Sequence, residues 1–308
     1  MNIFFLKQMA KMKLQGIYLK ALCGQLICYI PVYLVSMLVV LITTKLGGNI
    51  WGFLISLIFD IFIIDICTVG YMSSLISAST NQENLEKKYD INLVLSGFSE
   101  HYPNILKITF LRRLYVMGWG LLSMLPLLVA VGVIACLTVK PETLQAFDLI
   151  VQLAQSPTND MLLNVSEYIA QNCMYIVYIL SGASVMCIVL LIPYVRKSYM
   201  YKMIPMIMAE NPDIPTDEAF SKTKEIMQGY RMKYFLLELS FIGVLIIATI
   251  IASFISITSV MYIIMAFAMV YINMTFVQFY LVRTRIGGDS GNVEMKYNSE
   301  TIREDETE

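Results

Sequence analysis

Ile192 to Gly243 reads IPYVRKSYMYKMIPMIMAENPDIPTDEAFSKTKEIMQGYRMKYFLLELSFIG, the longest polar interruption between two strongly apolar runs. One apolar run delivers the chain to Pro193, basic residues follow at Arg196, Lys197 and Lys202, and Arg231 and Lys233 lead into the next. Cations gathered at the ends of two apolar runs mark a cytosolic connector between membrane spans. Within it Thr216 is placed to cap a helix, Asp217 and Glu218 fall in the first turn where the helix dipole favours anions, and Gly229 supplies the positive φ that ends it. Ala219, Phe220, Thr223, Ile226, Met227 and Tyr230 recur on one face by steps of three and four, with Lys222, Lys224, Glu225 and Gln228 opposite. Two uses of the apolar face stand. It packs on the floor of the bundle as an elbow that aims the following span, or it docks a membrane or cytosolic protein partner through Phe220, Ile226, Met227 and Tyr230.

Composition sets the class of the whole chain. Of 308 residues, 57% are hydrophobic and only 15% charged, where a soluble domain carries about 25% charged residues. The expected fold is an all-α polytopic membrane helix bundle whose first partner is the lipid bilayer. A net charge of −1 gives no reason to expect nucleic acid. The six cysteines lie in or beside apolar runs without paired metal-ligand spacing, so they read as small buried hydrophobes. No phosphate loop, paired-histidine helix or catalytic motif is present, and no cofactor is expected. His101, the single histidine, reads as a surface residue.

Outward from the connector, about 20 apolar residues suffice to cross the hydrocarbon, and six runs meet that length: residues 21–44, 50–78, 114–139, 173–195, 234–256 and 261–282. They define a membrane domain over 21–282. Residues 1–20, with Lys7, Lys11, Lys13 and Lys20 among apolar residues, form a basic amphipathic segment suited to the headgroup layer. Residues 283–308 form an acidic tail with too little apolar surface to fold. A surface helix followed by a break at Gly97 or Pro103 is expected ahead of the third run, and two short helices between 140 and 172. Counted by alternate loops, 20 of the 22 lysines and arginines fall on one side, leaving Lys45 and Lys140 on the other. Both termini and the connector are therefore expected in the cytosol. Gln15-Gly16 before the first run and Gln228-Gly229 before the fifth, with Ser96-Gly97 upstream of the third, hint at a repeated elbow.

Asp60 and Asp65 are the main chemical signal, because an aspartate at the bilayer centre costs about 2.5 to 3.5 kcal/mol. At 100° per residue their five-residue spacing sets them about 140° apart, so one regular helix face does not present both to a single ion. No lysine or arginine lies inside the six runs to pair with them. Protonation, hydrogen bonds to Asn273, Thr275 or Gln278, or a water-filled cleft joined by Glu238 would satisfy them. A proton or cation site at Asp60, Asp65, Glu238, Asn273 and Gln278 stands beside satisfied polar contacts between helices; no metal site is expected.

The connector also carries a family likeness. Ala209-Glu210-Asn211-Pro212, Glu218-Ala219 leading through Thr223 to Met227 and Gly229, then Phe235 and Leu239-Ser240-Phe241-Ile242-Gly243 resemble the bacterial integral membrane family known as domain of unknown function number nine hundred and seventy-five. Weaker echoes lie at Phe279-Tyr280 and in Ala10 to Gly16. The chain departs from the pattern at Tyr194, Thr223 and Val244, where glycine, serine and tryptophan are usual. The resemblance implies a multi-pass protein of the bacterial cell membrane and no particular activity. The function expected is a non-enzymatic, accessory or envelope-associated membrane protein; the alternative is a small proton- or cation-coupled transporter or channel.

Overall fold

The computed structural model describes residues 2–46, 49–80, 89–137, 141–155, 158–172, 174–253 and 258–285. Every regular element among them is helical. α1 (Ile3–Leu14) turns into α2 (Tyr18–Leu46), and α3 (Asn49–Phe59) runs through a π turn (Asp60–Ile64) into α4 (Asp65–Thr80). A 3₁₀ segment (Ile91–Phe98) precedes α5 (Tyr102–Leu137), followed by α6 (Pro141–Gln155), α7 (Asn159–Asn172) and α8 (Met174–Met200). The connector holds α9 (Ile204–Glu210) and α10 (Thr216–Met227), after which come α11 (Arg231–Leu239), α12 (Ile242–Ser253) and α13 (Thr258–Arg285). Beyond Arg285 the acidic tail expected over 283–308 lies outside the described residues, as does Cys173.

Five stretches among the described residues, not six, are long and apolar enough to cross a membrane: Tyr18–Thr44, Ile55–Thr80, Tyr102–Cys136, Met174–Glu210 and Ile263–Thr284. The run expected over 234–256 is the one that drops out, because it divides between α11 and α12. Phe241 N–H donates to Glu238 O rather than to Leu237 O, and the Ser240 hydroxyl folds back onto Leu237 O at 2.6 Å. That back-bonding competes with the helical ladder. The exposed Ser240 carbonyl accepts from Lys7 Nζ of α1 at 3.2 Å, and the same ammonium lies 4.3 Å from the centre of the Phe241 ring. A cation at the carbonyl end of α11 matches its dipole.

Other boundaries move for local reasons. α5 begins at Tyr102, with Pro103 in its first turn where a missing N–H is harmless; Lys107, Arg112 and Arg113 are therefore helical residues of α5, ahead of the expected third run at 114–139. α8 continues through Pro193 to Met200. α10 is capped by Pro215, which offers no side-chain hydrogen bond, and Thr216 is its first residue; Asp217 and Glu218 do occupy the first turn.

The chain forms two compact units, residues 1–113 with 199–308, and residues 114–198. In the second, α6 and α7 pack as a pair, tied by the Tyr168 hydroxyl donating to Gln145 Oε1 at 2.6 Å. Leu121, Leu128, Val185, Ile188 and Ile192 each leave more than half their surface uncovered. Uncovered apolar surface on that scale belongs in hydrocarbon, not water.

In the first unit, the 3₁₀ segment lies on α4 at backbone contact. A Cβ on Gly70 would stand 2.1 Å from Val94 O, and one on Gly97 would stand 2.8 Å from Ile66 O. Tyr89, just ahead of this segment, hydrogen-bonds Ser74 at 3.1 Å, and burial pushes its phenol up to about 12. Two elbows share one hydrogen-bond pattern. Gly16 (φ 82°) and Gly229 (φ 74°) are the positive-φ residues among those described, each following a glutamine cap. Gln15 N–H donates to Met12 O, Ile17 N–H to Leu14 O and Ala21 N–H to Ile17 O. The second elbow repeats these bonds as Gln228 to Glu225, Tyr230 to Met227 and Tyr234 to Tyr230. Gly97 is built differently, inside the 3₁₀ segment.

Gly70→Ala should lower stability by about 1 to 3 kcal/mol, the usual range for overpacking, measured by thermal unfolding in detergent. Gly132→Ala, which meets no atom within 4 Å, should hold or raise the midpoint.

Candidate functional site

Asp60 opens the π turn, and Asp65 follows it as the first residue of α4. Asp65 N–H donates to Asp60 O, a five-residue ring in place of the α-helical four. The wider turn brings residues five apart nearly over one another, so the 140° separation expected from regular helix geometry does not apply. Both carboxylates reach the same guanidinium. Arg113 donates through Nε to Asp65 Oδ2 at 3.1 Å, through one Nη to Asp65 Oδ1 at 3.0 Å and through the other to Asp60 Oδ2 at 3.2 Å. Arg112 adds a bond to Asp65 Oδ1 at 3.3 Å.

These arginines were outside the expected third span, which is why no cation was expected beside Asp60 and Asp65. A helix of 36 residues is about 54 Å long, so α5 carries both arginines near its start and still has length to cross about 30 Å of hydrocarbon. Two carboxylates and two guanidiniums together are neutral, and the bidentate Arg113–Asp65 pair has the strongest geometry available to such groups. The set is unevenly covered: the Asp65 side chain is 10% exposed and that of Asp60 42%. Arg112 Nε is buried without a hydrogen-bond partner among the described residues. The π turn itself is supported from α5, where the Tyr102 hydroxyl donates to Phe62 O at 3.3 Å.

The other expected site residues go elsewhere. Glu238 accepts from Tyr199 at 2.5 Å and pairs with Lys202 at 2.9 Å. Asn273 donates to Gln25 at 3.0 Å, and Gln278 to the Ser79 hydroxyl at 2.9 Å, both buried. Thr275 bonds its own helix at Tyr271 O. Asp60 and Asp65 therefore form one cluster, while Glu238, Asn273 and Gln278 join three others. Among the described residues no group of three histidines, cysteines or carboxylates could hold a metal ion.

The apolar face of α10 is turned inward. Ala219, Phe220, Thr223, Ile226 and Met227 are buried, Thr223 donates to Met200 O at 3.1 Å, and Tyr201 stacks edge-on against Phe220. Arg283 Nε donates to Ile226 O, and its guanidinium lies 3.8 Å from the centre of the half-buried Tyr230 ring. Residues carrying the family likeness meet one another or clamp the same layer. The Tyr280 hydroxyl donates to Glu210 at 2.6 Å, and Asn104 Nδ2 of α5 donates to Pro212 O and Ile214 O. His101 Nδ1 lies 2.7 Å from Asp213 Oδ1, a contact the single histidine's position did not reveal.

Removing one member of a buried ion pair costs about 3 to 5 kcal/mol, whereas an exposed pair is worth about 1 kcal/mol or less. Asp65→Asn should therefore lower the thermal midpoint well beyond Asp60→Asn. Equal losses would contradict the uneven burial of the two carboxylates.

No curated protein and no solved structure matches the chain. A family described as "Protein of unknown function (DUF975)" matches residues 1–285, nearly the whole chain, and with the connector motifs placed as above, this protein belongs to that family.

Proposed function

We propose that the chain is a non-enzymatic, six-crossing protein of the bacterial cell membrane, accessory or envelope-associated, with both termini and the α9–α10 layer in the cytosol. The observation that carries this reading is the neutral Asp60–Asp65–Arg112–Arg113 cluster. Its charges are spent on one another, tying the second long helix to α5, and the remaining polar groups of the candidate site are spent likewise in separate helix contacts.

Six crossings require α11 and α12 to act as a single broken span. Arg231 to Ser253 covers about 34 Å at 1.5 Å per residue, enough for hydrocarbon about 30 Å thick. Tyr234 packs on Phe276 and Phe279, and Phe241 on Tyr271 and Phe276, so this stretch runs antiparallel beside α13. Lys7 satisfies the carbonyl freed at the break, as a membrane segment requires. With the apolar face of α10 occupied inside the chain, a protein partner would meet its outer face, where Lys224, Glu225 and Gln228 are exposed.

A second reading is favoured by one observation: π turns frequently mark functional sites, and this one carries both aspartates. In that reading the ion-pair cluster is the gate of a proton- or cation-coupled transporter, opened when Asp60 or Asp65 leaves its arginine.

Two measurements test these readings. Reporters fused at each terminus should both lie in the cytosol; opposite sides would leave five crossings and end the six-crossing account. In proteoliposomes, proton and cation flux should equal that of protein-free vesicles, and Asp65→Asn should not change it. Flux abolished by Asp65→Asn in a variant that still folds would establish the transporter instead.

A further inference from the structure

A groove of about 600 Å³ opens between the end of α1, the start of α12 and the middle of α13. Its size falls in the range of about 300 to 1,000 Å³ typical of small-molecule sites. Leu14, Val244, Phe267 and Ala268 give it an apolar floor, and Lys11 and Gln15 stand at its rim. Val244 and Phe267 are 41% and 44% exposed, so the floor is open along its length.

The polar groups of the groove divide by whether they are already used. The Tyr18 hydroxyl donates to Phe267 O at 2.7 Å and that of Tyr271 to Lys7 O at 3.3 Å; these bonds stitch the walls together. The Lys11 ammonium is exposed and has no ion-pair partner among the described residues. Residues 1–20 hold four lysines and no acidic residue, so nothing in that segment neutralises it. Gly16, in the left-handed region, makes the turn between α1 and α2 and itself lines the groove. A cation with no ion-pair partner among the described residues, beside an open apolar trough, matches a molecule with an anionic head and a hydrocarbon tail.

We propose that this groove binds one anionic phospholipid, its phosphate held by Lys11 and an acyl chain lying along Val244, Phe267 and Ala268. Net negative charge distinguishes this ligand from a zwitterionic lipid, because a basic segment attracts anionic headgroups and a zwitterion offsets its phosphate with its own cation. The bound lipid would join the amphipathic α1 to the α12–α13 pair.

Native mass spectrometry of the full chain in detergent, titrated with phosphatidylglycerol or phosphatidylcholine, tests this. A single saturable phosphatidylglycerol adduct is expected, with phosphatidylcholine binding weaker. Lys11→Gln, at an exposed position, should weaken phosphatidylglycerol binding about fivefold, the loss of one lysine–headgroup attraction. Ala268→Phe should reduce both lipids by filling the groove, while Lys224→Gln on α10 should change neither. Equal binding of the two lipids, or an unchanged affinity in Lys11→Gln, would overturn the proposal by showing only nonspecific lipid. A dimer that occupies the groove and excludes lipid would also overturn it.

Discussion

One guanidinium shared by two carboxylates fixes the π turn and the start of α4 against α5. An aspartate on an apolar helix is costly in hydrocarbon, and an arginine on its neighbour equally so. Brought together as Asp60, Asp65, Arg112 and Arg113, they cancel in charge and satisfy most of one another's hydrogen-bonding groups. Such a set contributes little net stability compared with a well-packed apolar contact, but it fixes register, since sliding α5 by one turn would strand all four charges. The π turn is what makes the sharing geometrically available. Its hydrogen bond from Asp65 to Asp60 and the Tyr102 bond to Phe62 O keep that irregular backbone satisfied.

The connector follows a related logic at helix ends. Cations from distant segments sit on carbonyls where helices stop: Lys7 on Ser240 at the end of α11, and Arg283 on Ile226 near the end of α10. Each supplies a donor that the helical ladder lacks and a charge that the helix dipole favours. Because Lys7 comes from α1 and Arg283 from α13, the two contacts tie segments from distant parts of the chain to the ends of α11 and α10. The buried face of α10 is consequently an internal surface, which explains how an amphipathic helix with a partner-like pattern is used up in folding.

Much of this was legible in the sequence, for identifiable reasons. The α10 helix, its acidic first turn and Gly229 at its exit follow from side-chain spacing and from the ease with which glycine takes positive φ. The two short helices between 140 and 172 follow from amphipathic runs. What escaped was of another kind. A π turn adds one residue to a helical turn without any change in composition, so arithmetic at 100° per residue separated Asp60 from Asp65. The partners Arg112 and Arg113 come from another helix, and the hydropathy boundary at Leu114 concealed that α5 begins at Tyr102. The division at Ser240–Phe241 depends on a serine hydroxyl turning back and on Lys7 arriving from 233 residues away. Neither leaves a mark on an apolar profile.

The ranking of the apolar helices does carry structural information. Of the five long apolar stretches, the two least apolar, Ile55–Thr80 and Ile263–Thr284, are the two most buried within the chain. A helix facing lipid must be apolar around its exposed side, whereas one enclosed by protein can carry polar groups wherever a neighbour answers them. α13 illustrates the second case. Gln25 of α2, Ser79 of α4 and Glu210 of α9 answer Asn273, Gln278 and Tyr280 in turn, and α1, α10 and α12 also pack against it. Its polar residues are therefore explained as the contacts by which surrounding helices locate a central post. In the sequence alone, Asn273 and Gln278 stood as candidates for a proton or cation site beside satisfied polar contacts between helices.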